Sequence, residues 1–350
     1  MKTSFPGRHA QHLRLAAFSL LVCVFGSVMP HARAQDTPLI SGGVGFLTNT
    51  NRGSTSYTMT IAPVAEVPLG QRVLIESRAN VLEAVFPTNP GYNTAHFAGI
   101  SNLAADVQVN SHVTLVGGLF YTPFNTVSER LSPIWINNFQ DFPIIAGIGV
   151  VGSGNSLGGQ VRGNAFSNDN VSVDYTAYFS AKTSNEQFSA RRTSGERVTF
   201  FFPKSGVEVG ESVNFILEGV HSHNVGAHLW WSPTNSWFRF KSEYAHAAHA
   251  QGYWMEGAWR LTAFGGPDTA LGRLEPVARW QQVFRNQADP TDGLPGQDQN
   301  RADFGLDYHL QHEVRINTSY ARVFTAGRNG NIWETGLIYR FLFPAWKGKK

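Results

Sequence analysis

The chain has 350 residues, with 28 lysines and arginines against 25 aspartates and glutamates, for a formal net charge of +3. That near balance excludes the dense basic surface that nucleic-acid binding requires. The one cysteine, Cys23, excludes a disulfide framework and cysteine-ligated metal sites.

The N-terminus has the build of a secretory signal. Lys2, Arg8 and Arg14 form a basic start, and Leu15–Val28 is an apolar run. Ala32-Arg33-Ala34 then puts a small residue at each position a signal peptidase inspects. Residues 1–34 are therefore expected to be a cleaved signal peptide, with 35–350 as the exported domain. The apolar run falls short of the ~20 residues of a spanning helix. Residues 1–34 hold Lys2, Arg8, Arg14, Arg33 and no acid, which leaves the remainder at −1, twenty-four bases against twenty-five acids. Cys23 leaves with the signal. No later segment reaches 18 consecutive apolar residues, and none shows a sustained 3.6-residue period.

The rest alternates at period two in segments of about ten residues, the length of a tilted strand crossing a bilayer. In chain order the predicted strands are 39–48, 56–67, 71–85, 97–109, 112–122, 157–166, 170–181, 197–203, 206–218, 224–232, 236–246, 252–263, 274–285, 301–310, 313–324 and 331–343. The pattern is plainest late in the chain. Phe304, Leu306, Tyr308 and Leu310 fall on one face, and Asp303, Gly305, Asp307 and His309 on the other. Short connectors such as Pro68-Leu69-Gly70, Asn110-Ser111 and Gln311-His312 are expected to alternate with long loops at 49–55, 86–96, 123–156, 182–196, 219–223, 247–251, 286–300 and 325–330. An even strand number, short turns on one side and long loops on the other describe an outer-membrane barrel. The predicted fold is an all-β, antiparallel transmembrane barrel of sixteen strands. A barrel this wide leaves an aqueous channel unless something fills it. The third long loop, 123–156, carries Phe124, Trp135, Phe139 and Phe142 and is expected to fold inward and set the bore.

Six segments carry a family resemblance: Gly118–Asn125, Glu129–Asn137, Gly159–Gly163, Gly206–Gly210, Leu274–Arg279 and Phe304–Tyr308. They resemble the phosphate-selective porin family and its wider relatives, over about the last two-thirds of the chain. The resemblance implies sixteen strands, an inward third loop, a trimer, and anions such as phosphate among the solutes.

By alternation the polar face presents Arg78, Arg162, Arg239, Lys241, Arg260, Arg279, Arg315 and Arg340. It also presents Glu76, Asp106, Asp174, Glu243, Glu256, Glu275, Asp303, Asp307 and Glu334. The signs interleave, so the expected lumen imposes a transverse field with weak choice of ion sign. The candidate pore-lining and constriction residues are Glu129 and Arg130 on the long loop, with Arg162, Arg239, Lys241, Arg260, Glu275, Arg279, Asp307 and Arg315. Arg239 with Lys241, and Glu275 with Arg279, stand out as strand-step neighbours on one face.

His221, His223, His246 and His249 fall in two adjacent loops and are the candidates for a shared metal. Solvated loop histidines are the simpler reading, and no cofactor is expected. A barrel hydrolase needs a serine within hydrogen-bond reach of an oriented histidine. Ser242 and His246 share a face but stand too far apart, and no G-x-S-x-G elbow occurs. A receptor or adhesin barrel would present longer loops. The expected function is a porin passing small polar solutes and ions, seated in outer-membrane lipid of a Gram-negative-type envelope as a homotrimer. N-terminal sequencing of the membrane-extracted protein is expected to begin at Gln35. A chain still beginning at Met1 would contradict the signal.

Overall fold

The computed structural model describes residues 37–148, 154–184, 190–219, 221–234, 236–289 and 292–345. The expected signal peptide, 1–34, and its cleavage site lie outside them. The described residues form sixteen strands: β1 Leu39–Asn51, β2 Ser54–Leu69, β3 Val73–Pro87, β4 Tyr92–Gln108, β5 Thr114–Tyr121, β6 Asn155–Ser167, β7 Ser172–Ser180, β8 Thr193–Phe202, β9 Val207–Ile216, β10 Ser222–Trp231, β11 Phe238–His246, β12 Ala250–Trp259, β13 Leu274–Arg285, β14 Gln299–His309, β15 Val314–Thr325 and β16 Gly330–Pro344. Each pairs antiparallel with its sequence neighbours, and β1 closes on β16 from Leu39↔Pro344 to Asn51↔Ile332. Closure pairs both sides of the strands along most of the ring, so most of the backbone satisfies its own hydrogen bonds inside a bilayer; the exception among the described residues is β4, which pairs with β5 only over Leu103–Gln108.

Alternation puts charge inside and aromatics outside. In β13, Glu275, Val277, Arg279, Gln281 and Val283 are buried, while Trp280 and Phe284 are exposed. Phe46, Phe304, Trp333, Leu337 and Tyr339 extend the exposed apolar face around β1, β14 and β16. This inverts a soluble sheet and matches a wall between lipid and lumen.

The connectors differ from expectation. The loop expected at 49–55 is a two-residue turn, Arg52-Gly53, with both φ positive at 53° and 80°. That is the hairpin geometry whose twist matches the flanking strands. The connectors at 217–221, 247–249 and 326–329 are short as well. The strands simply continue past the apolar band, so loop length separates the two rims only at 122–154, 181–192 and 286–298. β4 likewise starts at Tyr92 instead of 97, and 88–91 is all that remains of the expected loop 86–96. Arg260 lies one residue past β12, where its N–H still donates to the Trp237 carbonyl at 3.1 Å.

The core sits inside the lumen. Phe124, Val127, Leu131, Ile145 and Ile148 of loop 122–154 pack on Ala245, Ala247, Ala250, Trp254 and Val283 of the wall and its rim. Trp254 is 0% exposed, and its Nε1 donates to Glu243 Oε2 at 3.2 Å. Trp254→Ala is expected to cost about 3–5 kcal/mol, read as a lower urea midpoint in detergent. Trp280→Ala, on the outer face, should cost less. The reverse ranking would contradict an inward Trp254.

Candidate functional site

Loop 122–154 turns into the barrel at Asn125, whose φ is 53°. Its backbone N–H donates to Ser212 Oγ of β9 at 3.0 Å, and its side-chain amide donates to the Tyr244 carbonyl at 3.2 Å. Arg197 of β8 donates to the Asn125 carbonyl at 2.9 Å. The Thr126 N–H donates to Glu243 Oε1 at 2.8 Å, and its hydroxyl donates to the same oxygen. A single helical turn, α1 (Val127–Arg130), follows. Asn138 then donates to Glu256 of β12 at 2.9 Å, and the Ile144 N–H to Gln281 Oε1 of β13 at 2.8 Å. Arg279 of β13 donates to the Asp141 carbonyl at 3.0 Å, and Arg315 of β15 to the Ile134 carbonyl at 3.2 Å. Arg301 of β14 pairs with the Asp141 carboxylate at 2.9 Å. Close approach needs small residues on the wall. A Cβ on Gly43 would strike the Trp135 ring, and one on Gly226 the Asn125 amide.

This packing divides the predicted site residues by water contact. Glu129, Arg130, Arg162 and Arg239 keep partly exposed side chains. Arg162 is 36% exposed and pairs with Asp106. Arg130 pairs with Glu208 of β9 and lies over the Trp230 ring at 5.3 Å. Glu129 Oε2 lies 2.6 Å from Arg197 Nη1. Lys241, Glu275, Arg279, Asp307 and Arg315 are buried. Asp307 is 0% exposed; Arg315 is 3.3 Å from it. Losing one partner of such a buried pair costs about 3–5 kcal/mol, because a lone charge stays behind. These five brace the wall and hold the loop. The strand-step pairings also differ. Glu275 pairs with Arg239 and with His309 at 2.8 Å, Arg279 reaches Asp303 at 3.4 Å, and Lys241 lies 4.0 Å from Glu256.

Arg197, Glu208, Arg301 and Asp141 were not among the candidates. Strand parity flags Glu208, which stands two residues before Gly210 on the inward face. Arg197 and Arg301 sat at predicted strand starts, where parity carries least, and Asp141 lies on the loop, where it carries nothing.

The four loop histidines do not assemble a metal site. No group of three ligand-type side chains comes together among the described residues. His249 pairs with Asp292 at 3.2 Å, and Arg285 reaches the same oxygen at 2.7 Å. Ser242 donates to the Trp254 carbonyl at 2.8 Å instead of to a histidine.

At the short-turn rim, a cavity of about 470 Å³ opens along β2–β6. Arg72, Leu74, Asp106, Gln108, Thr114 and Arg162 line it.

Glu129 sits where several of these charges meet. Its burial works against ionisation, but the guanidiniums of Arg197, Arg130 and Arg162 outweigh that and hold the carboxyl below its ordinary value. A lowered folded-state pKa stabilises the fold above the ordinary glutamate value of ~4.3, and the gain disappears as pH falls through the lowered value. Glu129→Gln is therefore expected to lower the unfolding midpoint at neutral pH, with the deficit closing in acid. A deficit that grows in acid would contradict this.

No family model matches the chain, and no curated protein matches it by sequence. Solved structures do. OmpF of Salmonella typhi in complex with daunomycin aligns at TM-score 0.62 and 9% identity, covering 89% of this chain and 99% of that one. OmpT of Vibrio cholerae, an outer membrane protein, in its trimer form, aligns at 0.51 and 9%, covering 87% and 100%. OccK5 of Pseudomonas aeruginosa aligns at 0.50 and 10%, covering 89% and 98%. At these identities the likeness is one of fold: a closed antiparallel barrel of the outer-membrane kind.

Proposed function

We propose that this chain is an outer-membrane pore for passive diffusion of small polar solutes and ions. The observation that carries the reading is the charge pattern around α1. Arg78 with Glu76, Arg130 with Glu208, Arg162 with Asp106, and Arg197 with Glu129 form sign-balanced pairs. Arg197 and Asp106 are buried, the other six keep water contact, and the Arg162–Asp106 pair lines the cavity. Balanced pairs give a transverse field that orients dipolar solutes with little choice of sign. A dedicated phosphate filter, which the family resemblance implies, needs basic groups in excess at one level. The signal peptide expected over residues 1–34 supports export to the outer membrane. The short connectors on most of the loop-bearing rim disfavour a receptor or adhesin.

The same reading takes the chain as a homotrimer. β4 pairs with β3 along its length but with β5 only over Leu103–Gln108, so the Tyr92–Asn102 edge is free among the described residues. Tyr92 and Phe97 are largely exposed there. An exposed edge with aromatics invites pairing, and a second copy in the same membrane meets it at the same height. The similarly folded OmpT was solved in trimer form.

Single-channel recording of the refolded 35–350 chain tests both. Steady currents with weak ion preference, insensitive to phosphate and closing in three equal steps, are expected. Phosphate block with strong anion preference would establish a phosphate channel instead, and single-step closures would contradict the trimer. A folded barrel without current would overturn the pore.

A further inference from the structure

One guanidinium stands on the outer face of the wall, near the rim that carries loop 122–154. In β15 Arg315, Asn317, Ser319 and Ala321 are buried toward the lumen. The alternate set, Ile316, Thr318, Tyr320, Arg322 and Phe324, therefore faces outward. Arg322 lies in one row across the sheet with Trp280, Ala302 and Asn331, paired in register from β13 to β16. Ala302 is small, so the row forms a hollow between larger rings. Phe324 borders it on one side, its ring centre 5.9 Å from Arg322 Cζ. Tyr320 and Trp333 border it on the other, with ring centres 4.7 Å apart. Arg322 Nη1 donates to Asn331 Oδ1, which also accepts from Tyr320 Oη at 3.0 Å. That oxygen is neutral and already shared. No carboxylate pairs with Arg322 among the described residues.

The whole sector is cationic. Residues 316–333 and 39–65 span most of β15, the start of β16, β1 and most of β2. They contain Arg52, Arg322 and Arg328 and no aspartate or glutamate. Arg328 lies in the 326–329 turn and Arg52 in the 52–53 turn, and both are exposed. The two turns are adjacent, since Asn51 pairs with Ile332. The flanking acids are engaged elsewhere. Glu334 is buried and accepts from Asn49 at 2.9 Å and from Ser319 at 3.0 Å. Asp298 accepts from the Arg285 N–H at 2.7 Å.

A guanidinium on a lipid-facing wall is costly unless it lies near an interface and finds an anion. Its planar fork suits a phosphate, which it binds through two parallel N–H···O bonds. Aromatic rings at headgroup height pack on the carbons beside that phosphate. We propose that Arg322 and Asn331, with the Arg52 and Arg328 turns above them, dock the phosphate-bearing headgroup of a lipid in the leaflet at the loop-bearing rim. The inference rests on the membrane placement proposed above and not on conduction.

The test puts the refolded 35–350 chain into phosphatidylcholine nanodiscs with a minor share of phosphatidic acid, whose headgroup is a phosphomonoester. Lipid kept through detergent exchange is read by native mass spectrometry. The parent is expected to keep phosphatidic acid in preference to phosphatidylcholine, and Arg322→Gln to keep it about tenfold less. Arg322→Lys, with the charge but not the fork, should fall between. Lys204→Gln, at an exposed cation of the short-turn rim, should leave retention unchanged. Inorganic phosphate at the same concentration should not displace the lipid; displacement would make this a free-anion site and overturn the lipid proposal. Equal retention by the parent and folded Arg322→Gln would also overturn it. So would equal retention of the two lipids, which leaves an aromatic girdle alone. Should Arg322→Gln fail to fold, Arg52→Gln with Arg328→Gln decides, with an expected loss of about threefold. A barrel that keeps the lipid but passes no current overturns the pore reading alone. A chain that does not enter the nanodisc overturns both.

Discussion

Sixteen strands enclose more space than their inward side chains can fill, and the grip of the inner wall on loop 122–154 resolves that excess. Polar side chains from β8 to β15 reach backbone groups of the loop that would otherwise be buried without partners. Thr126, Asp141 and Ile144 each receive one such contact and Asn125 two. Phe124, Leu131 and Ile145 then find apolar wall residues to pack on. The polar contacts fix where the loop lies, and the apolar ones repay its ordering. The 286–298 loop adds a second layer, with Leu294 against this core and Asp292 between Arg285 and His249.

That grip divides one charged wall into two functions. On β11–β15, Asp303, Asp307, Arg279 and Arg315 lie beneath the loop and lose their water. Isolated charges there would be prohibitive, so the wall supplies both signs within reach of each other. On β3, β6 and α1 the same residue types stay wet and can act on a solute. Mixed charge in the lumen thus serves structure on one side and, in the proposed pore, permeation on the other.

Much of the barrel was legible along the chain. A period of two over residues such as Val314–Thr325 states both strand and inward face, because successive side chains must point to opposite sides of a sheet. Strand ends were less so: nothing local marks where a strand leaves the membrane, so the Arg52-Gly53 turn looked like a loop, and β12 was expected to run to 263 where it ends at Trp259. In the candidate site, parity placed Arg162 and Asp307 correctly on the inward face. It could not say that one is 36% exposed and the other 0%. That difference comes from a loop far away in sequence, as does the Glu275 partnership with Arg239 across the sheet instead of with Arg279 along its own strand. The aromatic content of 122–154 foretold a packed element in part: Phe124 and Phe139 are buried and Trp135 is half-buried, while Phe142 stays exposed.

The central claim is that loop 122–154 is a fixed part of the lumen wall, and amide hydrogen exchange tests it most directly. The N–H groups of Asn125, Thr126 and Ile144 donate to Ser212, Glu243 and Gln281 of the strands. They should exchange as slowly as the strand amides around them, and Glu243→Ala should release Thr126 first. Exchange of all three at the rate of an open loop, in a barrel whose strands stay protected, would contradict the account.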